Sequence, residues 1–385
     1  MHIPLRSIHI PLRRTAWLEA AWIFIATRLL ILFVTVVALR RIAPPGQSIR
    51  LSWLHWDVVH YIDIAQHGYT NLKDTVFFPL WPFLIHSVGT FVGTSTMRYN
   101  MVALLLANVL FYFALVIFYR LLSDSFDPTV ARNSLFYLAF SPFAIFFFVG
   151  YTESLFLFLF LAAFLCLQCS RYWLAGLCGF LAALTHSQGI LLVIPFAIVV
   201  LQRFWLRSGE QVNWRQKIGP CLPLLLIPLG IGVFMLYLGI TKGSPLAFST
   251  VQSQMWDRHL TFPPLSIVKA LQTFSRPETP DLRVLNVLDI VFALVPFAIL
   301  IMGWKRLPLH YALFALAMML FNVSFPQGVI EPLTSVPRYM SVIFPVFIIL
   351  AGWGKRPYLD RIITICSISL FVLNVLIFVL GPWVA

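Results

Sequence analysis

Charge is scarce in this chain. Of its 385 residues only 11% are Asp, Glu, Lys or Arg, and acids are outnumbered 14 to 27. With 60% hydrophobic and 16% aromatic residues, that composition excludes an ordinary soluble domain, which has no use for so much apolar surface. Cysteine is sparse too. Cys166, Cys169, Cys178, Cys221 and Cys366 all lie in apolar runs, and the C-x-x-C pair Cys166/Cys169 has no second pair near it. These read as small buried hydrophobes rather than zinc or redox ligands. Glycine-rich phosphate loops, Walker motifs and metal-ligand spacings are missing as well, so neither a metal nor another cofactor is expected. The formal net charge of +13 does not point to nucleic acid, because the basic residues sit at segment ends instead of forming a patch. Anionic headgroups and phosphate-bearing lipids suit them better.

What the chain has in abundance is long apolar runs. A bilayer core of ~30 Å is crossed by about 20 apolar residues in a helix, and only helices or closed barrels span. Runs of this length mean helices, giving an all-α integral membrane protein, one polytopic domain over residues 1–385. Eleven spans are expected, at about 16–39, 99–119, 131–149, 154–169, 172–185, 189–205, 218–240, 284–303, 309–325, 339–353 and 361–381. The first is too long for a signal-peptide core and should stay attached. It carries Arg28, a charge that requires a partner or a route to the interface. Ahead of it a short basic unit, HIPLR, occurs twice (2–6 and 9–13).

Placing the N-terminus in the cytoplasm puts 15 of the 27 basic residues in inner turns and tails, which the positive-inside rule favours. The outer face then receives a first long loop (40–98), a second (241–283) and the 327–338 loop. It also receives the turns around Tyr151-Thr152-Glu153-Ser154 and Thr185-His186-Ser187-Gln188. Almost every polar feature that looks chemical lies on that side. A carrier with alternating access would place ionisable groups near the midplane, and this chain has little there beyond Arg28 and Asp289. An active site at the non-cytosolic surface fits better.

Within the first loop, residues 55–82 stand out. At 100° per residue, Val58, Tyr61, Ile62, Ala65 and Tyr69 share an arc of roughly 100°, while Asp57, His60, Asp63 and His67 share roughly 120° on the other side. That is a short amphipathic helix at the interface, ended by Gly68. The proline-broken run Phe77-Phe78-Pro79-Leu80-Trp81-Pro82 follows and is no helix interior. Asp57 next to Trp56 is a carboxylate shielded by an aromatic ring, a setting that suits a general base. His60, Asp63 and His67 on one helix are weak grounds for a cation site. Glu153 fits both a helix-capping role and a site role. His186 fits a turn whose backbone groups it satisfies. Arg338, opening a span from the outer side, fits either a headgroup anchor or a bidentate grip on a lipid-linked phosphate. Gln254, Trp256, Asp257, Arg258 and His259 in the second loop form a surface for a sugar or headgroup, or a solvated loop.

These residues resemble a known family. His55-Trp56-Asp57, Ile64-Ala65-Gln66-His67-Gly68-Tyr69 and Phe77-Phe78-Pro79-Leu80-Trp81-Pro82 resemble the first-loop pattern of the PIG-V family, the GPI mannosyltransferase 2 type. Ser141-Pro142, the run from Tyr151 to Phe156 and Pro337-Arg338-Tyr339 are similar to its later segments. The resemblance covers most of the chain in order and spacing. It implies a GT-C glycosyltransferase, an inverting enzyme that takes mannose from dolichyl- or polyprenyl-phosphate mannose. Its acceptor would be a glycan or glycolipid outside the cytosol. On this reading Asp57 is the base, and Arg338, His60, His186 and Glu153 surround the donor. Trp56, Asp63, His67, Gln254 and Trp256 touch the acceptor or its loop. No metal is required, because the leaving group is already a single phosphate. One departure is His186, where the family pattern has arginine. The membrane would be the plasma membrane in a prokaryote and the endoplasmic reticulum in a eukaryote. The rival reading is a flippase of lipid-linked sugars that breaks no bond.

Overall fold

A computed structural model describes residues 14–382 apart from 44–45, 47, 50, 207–216 and 276–278. The duplicated HIPLR segment lies outside the described residues. Within them the chain is helical without a strand, save for an isolated antiparallel bridge between Arg258 and Gln327. Sixteen α-helices follow in order. They are α1 Arg14–Arg41, α2 Asp57–His67, α3 Leu80–Val92, α4 Thr96–Ser123, α5 Pro128–Ala139, α6 Glu153–Gln168, α7 Tyr172–Thr185 and α8 Val193–Leu201. After these come α9 Leu226–Lys242, α10 Ala247–Gln254, α11 Pro263–Gln272, α12 Pro280–Gly303, α13 Leu309–Val323, α14 Val336–Met340, α15 Pro345–Trp353 and α16 Pro357–Leu380. Six helical stretches among the described residues are long and apolar enough to cross a membrane: Arg14–Arg41, Thr96–Ser123, Ser187–Trp205, Gly219–Lys242, Leu282–Arg306 and Pro357–Leu380. Helices α3, α6, α7 and α13 are apolar but shorter.

The centre is aromatic. α4 packs on α6, α6 on α7 and α7 on α9, while α1 closes against α4 and α16. Phe111, Phe118, Phe146, Phe147, Phe160, Phe164 and Phe314 are all buried to within 2%. Against lipid tails, what such an interior gains is the close packing of these rings on one another rather than apolar surface removed from water.

Two expected spans are broken. Instead of one helix over 131–149, α5 stops at Ala139, and residues 140–152 fold into turns with a short 3₁₀ segment, Ala144–Phe147. Pro142 is incompatible with a continuing helix. Irregular backbone survives at this depth only when protein groups satisfy it, and here they do. Arg28 Nη2 donates to the Phe147 carbonyl at 2.9 Å, Ser154 Oγ to the same oxygen at 3.0 Å, and Asn108 Nδ2 to Phe148 at 2.9 Å. Trp81 Nε1 donates to Gly150 at 2.9 Å and Asn374 Nδ2 to Pro142 at 2.8 Å. The guanidinium of Arg28 also rests on Phe24 and Phe111 at 4.4 and 4.5 Å, so this intramembrane charge is accounted for structurally. Likewise 339–353 is not one helix. Pro337 and Pro345 each start a short one, α14 and α15, where a missing N–H costs nothing.

Candidate active site

The amphipathic helix forms over the residues its pattern predicts. α2 runs from Asp57 to His67, and Gly68 ends it with φ +72°, a conformation side chains rarely adopt. Its apolar face is buried, with Val58, Tyr61, Ile62 and Ala65 each at 5% exposure or less. Contrary to the expectation for the whole run 77–82, only Phe77, Phe78 and Pro79 lie outside a helix, after a 3₁₀ turn at Leu72–Val76, and Leu80, Trp81 and Pro82 open α3. Pro79 caps α3, and Pro82 sits in its first turn, where no hydrogen bond is lost.

Above the buried face lies a cavity of about 830 Å³, lined among others by Trp56, Asp57, His60, His186, Trp256 and Arg338. Residues from the first loop, the second loop, α14 and the segment before it meet here, although Asp57 and Arg338 are 281 positions apart in the chain. Asp57 Oδ2 accepts from Arg338 Nη1 at 2.7 Å. Arg338 Nε lies 3.0 Å from Glu153 Oε1, and Nη2 donates to the Tyr339 hydroxyl at 2.9 Å. Rings of Tyr339, Tyr151 and Phe146 surround the guanidinium at 4.7, 5.1 and 5.4 Å. Flanked by two carboxylates, Arg338 stays protonated, the pull of its anionic neighbours outweighing the cost of burial. Tyr151 ties the group to α2, its hydroxyl oxygen accepting from the Asp57 amide at 3.3 Å. Burial, reinforced by the Asp57 charge, holds that phenol in its protonated form.

Glu153 opens α6 as expected, yet Thr152 makes no side-chain cap there, and the carboxylate is turned to Arg338. His60 lines the cavity from one turn beyond Asp57. Its ring stacks on Phe77 at 4.8 Å, meets Trp256 edge-on at 6.3 Å, and its Nδ1 lies 2.9 Å from Asp74 Oδ1. His186 is also at the wall, against Tyr339 at 5.4 Å and Phe156 at 5.6 Å. Burial first, then the charges of Arg338 and Arg258, push its imidazole down to about 3. At neutral pH it carries no charge with which to hold a phosphate.

Three expected contacts are not assembled here. Asp63 and His67 lie outside the cavity and pair with each other at 2.9 Å on the exposed side of α2. Gln254 is exposed and outside the lining, its place taken by Gln252 and Ser253. Sequence reasoning missed Asp74, Gln188 and Asn322. Asp74 is fully buried behind His60, and Gln188 donates to Asn322 at 2.6 Å inside the wall. No periodicity marks them, although a lone carboxylate in so acid-poor a chain was a usable signal.

Backbone strain gathers at this site. Four non-glycine residues have positive φ among those described. Two of them, Trp56 and Ser335, line the cavity and precede the helices bearing Asp57 and Arg338. A third, Asp257, adjoins the lining residue Arg258. Each such conformation costs on the order of 1–3 kcal/mol and persists where its surroundings over-determine it.

An all-helical bundle of apolar helices holding an acid-and-arginine cavity in its loops places the chain in the class of polytopic helical membrane proteins. ArnT from Cupriavidus metallidurans, solved in the apo state, superposes with a TM-score of 0.52 at 11% identity over 94% of this chain and 76% of that one. The oligosaccharyltransferase AglB from Archaeoglobus fulgidus, solved with an inhibitory peptide and a dolichol-phosphate, gives 0.51 at 13% identity over 95% and 56%. The sequence profile described as Mannosyltransferase (PIG-V) matches residues 24–238, and the chain belongs to that family. GPI mannosyltransferase 2 of Schizosaccharomyces pombe is 28% identical over 55% of this chain and 48% of its own length. GPI alpha-1,6-mannosyltransferase 2 of Mus musculus is 30% identical over 50% and 43%. The matched region thus spans about half the length of these relatives.

Proposed function

We propose that the chain transfers mannose from a polyprenyl- or dolichyl-phosphate carrier to a glycan or glycolipid acceptor, with inversion at C1. The observation that carries this is the Asp57 carboxylate, set at the wall of the cavity and held there by Arg338 at 2.7 Å. Membership of a mannosyltransferase family supports the sugar, and the relatives' names support a GPI-like acceptor chemistry. The acceptor hydroxyl gives its proton to Asp57 as its oxygen bonds to C1. The bond from C1 to the phosphate oxygen breaks with its electron pair, and the carrier phosphate departs. Arg338 and Glu153 act on Asp57 by fixing its position. In the same reading eleven segments cross the bilayer, and the 40–98 and 241–283 loops cover the cavity on the non-cytosolic face. The donor's chain then lies in the bilayer beside the bundle.

The test is to incubate the purified full chain in vesicles with radiolabelled polyprenyl-phosphate mannose and an acceptor glycolipid extract. Free polyprenyl phosphate and a labelled product are expected. Intact donor moved to the opposite leaflet, with no release of carrier phosphate, would establish translocation instead and end the transferase reading.

A further inference from the structure

We infer that Arg258, from the second loop, is the cation that takes the donor's phosphate, and that Arg338 is not. The inference rests on the transferase reading above and assigns a binding residue within it.

Arg338 is spent on the protein. Its Nε faces Glu153, Nη1 faces Asp57 and Nη2 donates to Tyr339, with aromatic rings packed around the guanidinium and only 4% of the residue exposed. A phosphate arriving there would have to displace a carboxylate from a buried pair, and breaking such a pair is strongly unfavourable.

Arg258 is built differently. It lines the same cavity and is only partly buried. Among the described residues every partner of its guanidinium is neutral. Gln327 Oε1 accepts from Nε at 3.1 Å and from Nη2 at 2.8 Å, while Ser335 Oγ and the Thr334 carbonyl lie 3.3 and 3.4 Å from Nη2. No carboxylate among the described residues comes within 4 Å of it. The neighbouring Asp257 is turned to His259 at 3.2 Å. Nη1 makes no hydrogen bond to the described residues and is not sealed from solvent.

The backbone fixes it as well. The Arg258 amide donates to Gln252 at 3.0 Å, the Gly328 amide donates to the Asp257 carbonyl at 2.8 Å, and Arg258 pairs with Gln327 in the one antiparallel bridge. The result is a guanidinium locked in orientation, uncompensated in charge, with one amino edge left for an anion. Its positive charge reaches across the cavity, since it helps hold His186 neutral. A phosphate group matches this donor, whereas a neutral sugar hydroxyl would leave the charge unpaired.

The experiment compares the full-length protein with Arg258→Gln, Arg258→Lys and Arg338→Gln, measuring affinity for polyprenyl phosphate in detergent alongside transfer kinetics. Losing one charge-assisted contact predicts a 10- to 100-fold weaker Kd and a similarly raised donor KM for Arg258→Gln, with kcat changed far less. Arg258→Lys should fall between, keeping the charge and losing the fork. Arg338→Gln should lower kcat while leaving carrier-phosphate affinity within about threefold. A wild-type Kd in a folded Arg258→Gln, or a larger loss of affinity in Arg338→Gln, overturns the assignment. Gln327→Ala, which loosens Arg258 without touching charge, gives the second reading should Arg258→Gln misfold, and a Kd unchanged there also counts against it. An enzyme that binds polyprenyl phosphate through Arg258 yet transfers no sugar would sink the transferase reading alone.

Discussion

At the scale of single residues, the site is a set of charges that explain one another. Arg338 would be untenable in its buried position without Asp57 and Glu153, and the two acids would repel without Arg338. His186 shows the cost of that arrangement. Its folded imidazole takes a proton only near pH 3, whereas the unfolded one does so near 6.5. Unfolding therefore consumes a proton between those values. The stability this group leaves intact is fully present above pH about 6.5 and is lost as pH falls towards 3, by about 1.4 kcal/mol per pH unit. Replacing His186 by Gln should flatten the acid side of a thermal-unfolding profile by one proton without moving the neutral-pH end. An unchanged slope would mean that the imidazole is already hydrated.

Much of this was legible beforehand, and what was not has physical causes. Asp57, His60 and Glu153 could be singled out because ionisable groups are rare in so apolar a chain, and α2 could be read from its 3.6-residue period. That Asp63 and His67 face away could not, since an arc of 120° on a helix does not say where the cavity wall ends. Asp74 escaped because its task is set by a contact fourteen residues back, and Arg258, named only with its loop, could not be told from its neighbours because nothing local shows what its guanidinium meets.

At the scale of elements, the hinge of the design is the broken stretch after α5. Sequence periodicity reads 131–149 as one continuous apolar segment because Phe, Ala and Ile run through it, and only the carbonyl partners reveal the turn in its second half. Arg28, Asn108, Trp81, Ser154 and Asn374 convert an apolar run into a rigid turn that delivers Tyr151 and Glu153 to the cavity. Exchanging Arg28 for Met keeps much of the volume but strips Asn108 and Phe147 of a donor. A loss of about 1–3 kcal/mol is expected, read as a lower unfolding midpoint in detergent together with weakened transfer. Full stability in that variant would show that Ser154 alone suffices for the Phe147 carbonyl.

At the scale of the whole molecule, the bundle separates two tasks. The long apolar helices hold the chain in the bilayer, while shorter pieces, α2, α10, α14 and the turns between them, line the cavity. Fold alone does not settle an activity, so the proposed one is tested at the cavity lining. Asp57→Asn keeps the size and shape of the side chain while removing its capacity to accept a proton and the charge it presents to Arg338, so folding is checked alongside. Single-turnover transfer by purified wild-type and Asp57→Asn protein, at saturating polyprenyl-phosphate mannose and with donor binding measured in parallel, tests this most directly. The account predicts donor binding within a few-fold of wild type and transfer reduced by at least about 100-fold. Transfer at a near wild-type rate by the Asn variant would contradict it.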